Sequence, residues 1–456
     1  MSDPWQHRSE AGIGFAATTV SLLIALTVFP EQPSPRGALA LPAVILSAGI
    51  VTVPILRAIR RSPSLLYSEN LVAMGFVFWL LLDLIQGAYD LRDAADWALR
   101  DAFICIGIAA AAMWVGVAGR PWPIPGWLAE IASRPMTTRT VLRLVPVCFV
   151  LGMFRYAYAT DFNVTEMFSY IGAQRWAAPW GRGQLGGWDA FMDQMQYFGY
   201  VMPSLAALLI ARNGFTPQTV ASIAVTGVMV LFLAQGGGRR IIGVTIGAAI
   251  LVWIQAQRTI SVRRLTLAAA AAVGLLAGMQ FMLNIRTIGY DEFALTGTSE
   301  YDYLHVDDNF LRLAQIVQIV PAERPHVGFQ QLWFTIIRPV PRVLWPGKPI
   351  DPGFDLPSIV GMKGVSLSSS IFGEWYLSFG WLGVIFGGWL HGRLARTVNG
   401  LRDHEEFHTN PIVYGLAVMV LVAGMRSMIE LVLMSYALVA WWIAIRLTRE
   451  RPEETR

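Results

Sequence analysis

Charge is scarce in this chain of 456 residues. Asp, Glu, Lys and Arg together make up 14% of it, whereas a soluble domain carries about 25%. That shortage is hard to reconcile with a surface facing water on all sides. Cysteine is scarcer still, at two residues. Cys105 and Cys148 each lie inside an apolar run. They read as small core residues, not as a disulfide or a metal pair. Lysine is nearly missing, with Lys348 and Lys363 alone, so the cations are almost all arginine. Known nucleotide and metal signatures are missing too. There is no P-loop, no dinucleotide-binding glycine pattern, no H-E-x-x-H and no cluster of Cys and His. ATP hydrolysis, dinucleotide redox chemistry and a zinc protease site are therefore unsupported. No metal and no cofactor is expected. The net charge of +4 is explained by where the arginines fall in loops, so it does not argue for nucleic acid.

What is abundant is apolar residues, 55% of the chain, with a mean hydropathy of +0.49. They fall in blocks of about twenty, the length a helix needs to cross a bilayer. The expected fold is an all-α polytopic integral membrane protein with about twelve transmembrane helices. A β-barrel is excluded, because its strands alternate and span about ten residues. The spans read as roughly 12–29, 38–56, 65–89, 102–118, 141–159, 191–211, 218–234, 241–257, 265–283, 371–391, 410–425 and 428–446. Residues 1–456 form a single transmembrane domain. Met1 to Gly12 has no basic region ahead of the first run and no small-residue cleavage pattern, so that run reads as a retained helix.

Arginines set the orientation. Arg57, Arg60, Arg61, Arg120, Arg134, Arg139, Arg143, Arg258, Arg263, Arg264, Arg393, Arg396 and Arg402 all fall in loops on one side. By the positive-inside rule that side is cytoplasmic, and both termini lie there. One outer turn breaks the rule. Gly236-Gly237-Gly238 is followed by Arg239 and Arg240. Such a turn either rests two cations at the headgroups or offers backbone N–H groups and a helix N-terminus to an anion.

Two outer segments are long. The first, near 160–190, carries Trp176, Trp180 and Trp188, which suit either an aromatic belt or sugar stacking. The second, 284–370, is a large loop in which 308–320 and 329–337 show helical spacing. Both stretches are too short to span and read as interfacial or re-entrant helices packed on the bundle. That loop ends in Arg338-Pro-Val-Pro-Arg342, where the prolines stiffen the path and the cations project. Glu374 opens the next span after Ser368-Ser369-Ser370. It reads as a first-turn acid answering the helix dipole, or as a general base. Arg426 and Glu430 sit four apart in or near the membrane, as a structural pair or a functional one. His305 and His326 read as surface histidines. Asp307 and Asp308 read as caps of the helix that follows. Gly380, Gly383, Gly387 and Gly388 read as helix-packing positions.

Two motifs carry a family resemblance. Pro341-Arg342-Val343-Leu344-Trp345-Pro346-Gly347-Lys348-Pro349 and Glu374-Trp375-Tyr376-Leu377-Ser378-Phe379-Gly380-Trp381-Leu382-Gly383 resemble the bacterial O-antigen and oligosaccharide repeat-unit polymerases of the Wzy type. The resemblance covers about a fifth of the chain, beginning near Asp308. It implies a GT-C-like glycosyltransferase architecture in a bacterial inner membrane. It implies a reaction on the periplasmic face, with 284–370 as a periplasmic loop. A glycan would pass from polyprenyl diphosphate to a sugar hydroxyl of an incoming lipid-linked unit, without nucleotide sugar or metal. Under that resemblance Glu374 and Arg342 are the catalytic candidates. Arg239, Arg240, Arg286, Arg338, Lys348 and Arg426 face the diphosphates, and Trp345, Tyr376 and Trp180 face sugar. Direct displacement would invert the anomeric centre. The partners implied are lipid-linked oligosaccharides, membrane lipids and a chain-length regulator protein. An O-antigen-ligase-like transferase shares the donor chemistry and differs in the acceptor. A flippase or transporter of lipid-linked glycans would instead line a path through the midplane with charge.

Overall fold

The computed structural model describes residues 4–448 apart from 61, 175–176, 183–191, 236–237, 258–260, 287–302, 339, 341, 350–352, 362–366 and 405–409. It is 75% helix, and no strand occurs among the described residues. Long apolar runs leave the backbone no choice in lipid, since a helix satisfies its own N–H and C=O groups.

The first helices are α1 (Pro4–Thr27), α2 (Ala40–Ile50), α3 (Thr52–Ile59), α4 (Ser68–Gln86) and α5 (Asp96–Ala118). Next come α6 (Thr138–Ala159), α7 (Gln196–Asn213), α8 (Pro217–Gln235), α9 (Arg239–Gln255) and α10 (Val262–Arg286). Two short helices follow in the large loop, α11 (Asn309–Ile319) and α12 (Gln330–Ile337). The chain ends with α13 (Ser370–Val398), α14 (Pro411–Gly424) and α15 (Met428–Leu447). Each expected span coincides with a helix or, for α2 and α3, a bent pair.

Seven of these helices are long and apolar enough to cross a membrane, and the α2–α3 pair, bent by 55°, makes up to eight. The other four expected spans are short, polar or broken. α7 carries polar ends, α9 has 17 residues and α14 has 14. α13 is broken at Phe379 and Gly380. Gly380 has φ +61°, which glycine alone adopts freely. The break leaves a short upstream arm carrying Glu374.

The core forms two packed clusters. α1, α2, α4 and α5 pack with α11 and α13 in the first. α6, α7, α8, α9, α14 and α15 form the second. α5 and α13 approach closely, because a side chain at Gly388 or Gly392 would collide with the Ala109 or Met113 carbonyl. α11 is buried on every side, including Arg312 and Gln315. It is a plug between α5 and α13, not a helix lying on the surface. α12 exposes Trp333 and Ile336, and Phe329 just before it is exposed too.

Candidate functional site

The N-terminus of α15 organises the site. Ser427 caps it, its Oγ accepting from Glu430 N at 3.1 Å. Ser427-Met-Ile-Glu430 has the spacing of a capping box, in which the glutamate would turn back to the cap. Here another carboxylate lies at that end of the helix. Glu374, on the upstream arm of α13, accepts from Met428 N at 2.5 Å. Ile371 N donates to Met425 O at 2.9 Å and Ser368 Oγ to Arg426 O at 2.6 Å. These bonds fasten the α13 arm to the turn before α15.

With Glu374 serving the helix end, Glu430 faces cations. Its Oε1 pairs with Arg240 and lies 3.6 Å from Arg426 Nη1. Arg426 Nε in turn meets Asp307 Oδ2 at 2.5 Å. A chain Asp307–Arg426–Glu430–Arg240 thus runs from the large loop to α9. Asp308 does not cap α11 with its side chain. It pairs with Arg312 at 2.6 Å, so both aspartates expected as caps are ion-pair partners instead. Arg239 Nη1 donates to the His305 carbonyl at 2.8 Å, which ties the start of α9 to the same loop. Gln86 and Gln280 each make two backbone hydrogen bonds that hold residues 303–305 in place.

Beside this chain lies a cavity of about 250 Å³. Arg155, Arg240 and Glu430 bring charge to it, and Tyr156, Tyr197, Tyr200, Trp180 and Phe232 bring flat apolar faces. Arg155 is held by three partners: the Trp180 carbonyl at 2.8 Å, Asp193 Oδ1 at 3.1 Å and Gln196 Oε1. Trp180 Nε1 donates to Gln235 Oε1 at 2.8 Å. Among the described residues, Glu430 Oε2 and Gln235 Nε2 are buried without a hydrogen-bond partner. An orphaned buried carboxylate oxygen is costly in a dry site.

Family models, curated proteins and solved structures were compared with the chain, and none matches.

The structure brings together Arg239, Arg240, Arg426 and Glu374 around the start of α15. Trp180 is buried in the cavity wall, packed against Tyr156, Tyr170 and Phe232, and so is not part of an exposed belt. Arg338 lies over the Phe334 ring and within electrostatic reach of the Tyr197 and Tyr436 hydroxyls. Lys348 is buried and donates to the Arg338 and Val340 carbonyls at 2.9 Å each. It closes the stiff proline-rich turn on itself. Burial first, then the nearby Arg338 and Arg342 guanidiniums, pull its pKa below the usual lysine value.

Other expected residues sit elsewhere. Arg342 is half-buried in the turn after Pro341, and Trp345 is exposed beside it. Tyr376 packs near His326 and Trp381 at the α13 break. None of these three lines the cavity. Arg286 ends α10, and its side chain, with Trp176, Trp188, Gly236 and Gly237, falls outside the described residues.

Arg155 and the tyrosines of α7 were missed in the sequence. Arg155 did carry a signal, since it is a cation three or more turns beyond Arg139 and Arg143 in an otherwise apolar span of 22 residues. Tyr197 and Tyr200 carried none, because aromatic residues at helical spacing look like any core.

Proposed function

We propose that the protein is a membrane glycosyltransferase that moves a glycan from a polyprenyl diphosphate to a sugar hydroxyl, and so polymerises lipid-linked oligosaccharide repeat units. The observation that carries this reading is the cavity beside α15. It combines two fixed guanidiniums, a carboxylate oxygen without a partner, and tyrosine and tryptophan faces. Sugar rings stack on such faces, and a leaving diphosphate needs planar, permanently charged donors.

In this reading Arg240 and Arg155 face the diphosphate, with Arg239, Arg338 and Arg426 holding the surrounding loop. Glu430 takes the role first expected of Glu374. Its Oε2 accepts the proton of the acceptor hydroxyl as that oxygen bonds to the donor anomeric carbon. The bond from that carbon to the diphosphate oxygen breaks, and the diphosphate stays on its lipid. One displacement inverts the anomeric centre. Glu374 is bound to the Met428 N–H and acts as a positioning residue. The same reading takes the chain as twelve spans in a GT-C-like arrangement, with both termini cytoplasmic and the cavity end periplasmic in a bacterial inner membrane. A chain-length regulator would then meet that outer end.

Reconstitution into proteoliposomes with a defined lipid-linked oligosaccharide tests the proposal. A ladder of elongated lipid-linked product, formed without nucleotide sugar, supports it. A single transfer onto another acceptor points to the ligase-like reaction. Glycan that only changes leaflet refutes both.

A further inference from the structure

α12 is amphipathic, and its two sides meet different surroundings. Gln331, Phe334, Thr335 and Ile337 are buried against the bundle. Trp333 is 53% exposed and Ile336 66%. Phe329, the residue before the helix, already has right-handed helical dihedrals and is 75% exposed. Spacings of four and three residues put these three on one side. The depth of that side follows from α13. Gly388 packs on the Ala109 backbone. Ala109 is near the middle of α5 (Asp96–Ala118), a helix long and apolar enough to cross a membrane. Phe379 is nine residues before Gly388, a rise of up to roughly 13 Å at 1.5 Å per residue. A hydrocarbon layer reaches about 15 Å from its midplane, so Phe379 falls just inside its edge. The Phe329 ring packs on Phe379 with centroids 5.0 Å apart. From there Trp375 contacts Phe379 at 6.2 Å and Phe386 at 5.2 Å. Leu382, Ile385 and Phe386 are themselves exposed at helical spacing. The exposed side of α12 is thus joined through these rings to an exposed apolar strip of α13.

We propose that α12 is seated in the membrane, with lipid acyl chains covering its exposed side at the end of the bundle where α15 begins. A contiguous exposed apolar patch calls for a cover, and the strip of α13 that continues it lies at the depth of hydrocarbon. Trp333 suits the edge of that layer, since an indole has an apolar body and one N–H for the headgroups. Arg338 caps the end of α12 with its guanidinium 5.9 Å from the Phe334 ring centroid, as a cation rising from apolar surroundings does. On the buried side Gln331 hydrogen-bonds to Glu374, whose carboxylate holds Met428 N at the start of α15. Lipid contact on one side of α12 is in this way joined to Glu374 on the other. The proposal does not depend on the glycosyltransferase reading, because its test reads lipid contact alone.

Cys105 and Cys148 are both buried, so a fluorescent thiol label reports an introduced cysteine. Trp333→Cys, Ile336→Cys, Leu382→Cys and Glu323→Cys are made singly in the full chain, labelled, and placed in phosphatidylcholine nanodiscs. All four positions are exposed, so the substitutions leave the packing intact. Lipids that carry a nitroxide on the acyl chain quench a label that touches the chains. Labels replacing Trp333 and Ile336 should be quenched close to the level of the label replacing Leu382, with emission shifted to the blue. A nitroxide near the headgroup should quench them more than one near the chain end. The label replacing Glu323 should answer to a water-soluble quencher instead. Labels at α12 that behave like the one replacing Glu323 overturn the proposal. Energy transfer between labelled copies, with lipid quenching lost, also overturns it and assigns the face to a second copy of the chain.

Discussion

Two buried charge clusters sit at opposite ends of α13, and they differ in how completely they are satisfied. Glu374 and Asn399, which mark the two ends, are separated by up to roughly 37 Å of helix at 1.5 Å per residue. At the far end Arg57 is only 2% exposed and bonds to Glu10 at 2.7 Å, to Glu69 at 2.8 Å and to Asn70 at 3.1 Å. Glu69 also takes Asn399 Nδ2 at 2.5 Å, and Asn399 Oδ1 takes the Ser68 backbone N–H at 2.9 Å. None of these side chains leaves a buried polar atom without a partner. At the other end Glu430 Oε2 and Gln235 Nε2 are both left over, next to a cavity. A closed network holds helices α1, α3, α4 and α13 in register. An open one leaves donors and acceptors facing a space. Buried charge alone therefore does not mark function in this protein. The proposed site differs from the closed cluster in lying beside a cavity with two buried polar atoms left over.

The largest effect should come from breaking the closed cluster. Arg57→Ala strands Glu69, which is fully buried, and should destabilise the fold by about 3–5 kcal/mol. Loss of a monodisperse peak in size-exclusion chromatography would read it. A well-folded Arg57→Ala protein would erase the distinction drawn between the two ends.

Glu430→Gln should do the reverse. Turnover should fall by about 10²- to 10⁴-fold, the usual worth of a general base, in the lipid-linked oligosaccharide assay. The fold should survive, since Arg240 is 34% exposed and Arg426 keeps Asp307. Full activity in that variant would remove Glu430 from the chemistry.

Glu374 sharpens the contrast within the open end. Glu374→Gln retains an oxygen for Met428 N and should keep turnover within about tenfold, whereas a true base would lose far more. Glu374→Ala loses that bond and should lower stability by about 1 kcal/mol, as for other helix caps, seen as a lower thermal midpoint.

Lys348 should show the smallest effect. Its lowered pKa means that the unfolded chain binds more protons at this group than the folded one. Its contribution to stability therefore improves as pH rises from its folded pKa towards the ordinary lysine value of 10.5. Limited proteolysis of the proline-rich turn should slow over that window, and Lys348→Met should flatten the slope.

Much of the fold was legible in the residues. Apolar runs placed the helices, and helical spacing placed α11 and α12 to within a residue or two. Gly388 served close packing as read, while Gly380 proved to be a break point. Glu374, Arg239, Arg240 and Arg426 were visible as charges in unusual places. Their partners were not. Glu374 looked like the acid of a site, and the residues gave no sign that its carboxylate also holds the start of α15. Asp307 looked like a cap and turned out to hold Arg426.

The sequence by itself determined that this is a helical membrane protein, because hydropathy and charge are properties of local stretches. It also determined which charges stand in or beside apolar surroundings. Only the tertiary structure decided which charge meets which. Arg57 and Glu10 are 47 residues apart, and Arg426 and Asp307 are 119 apart. Helices joined by loops pack in many orders, so no spacing rule selects such pairs. What separates a closed network from an open one is the last unmatched oxygen, and that is settled only when all the helices are in place.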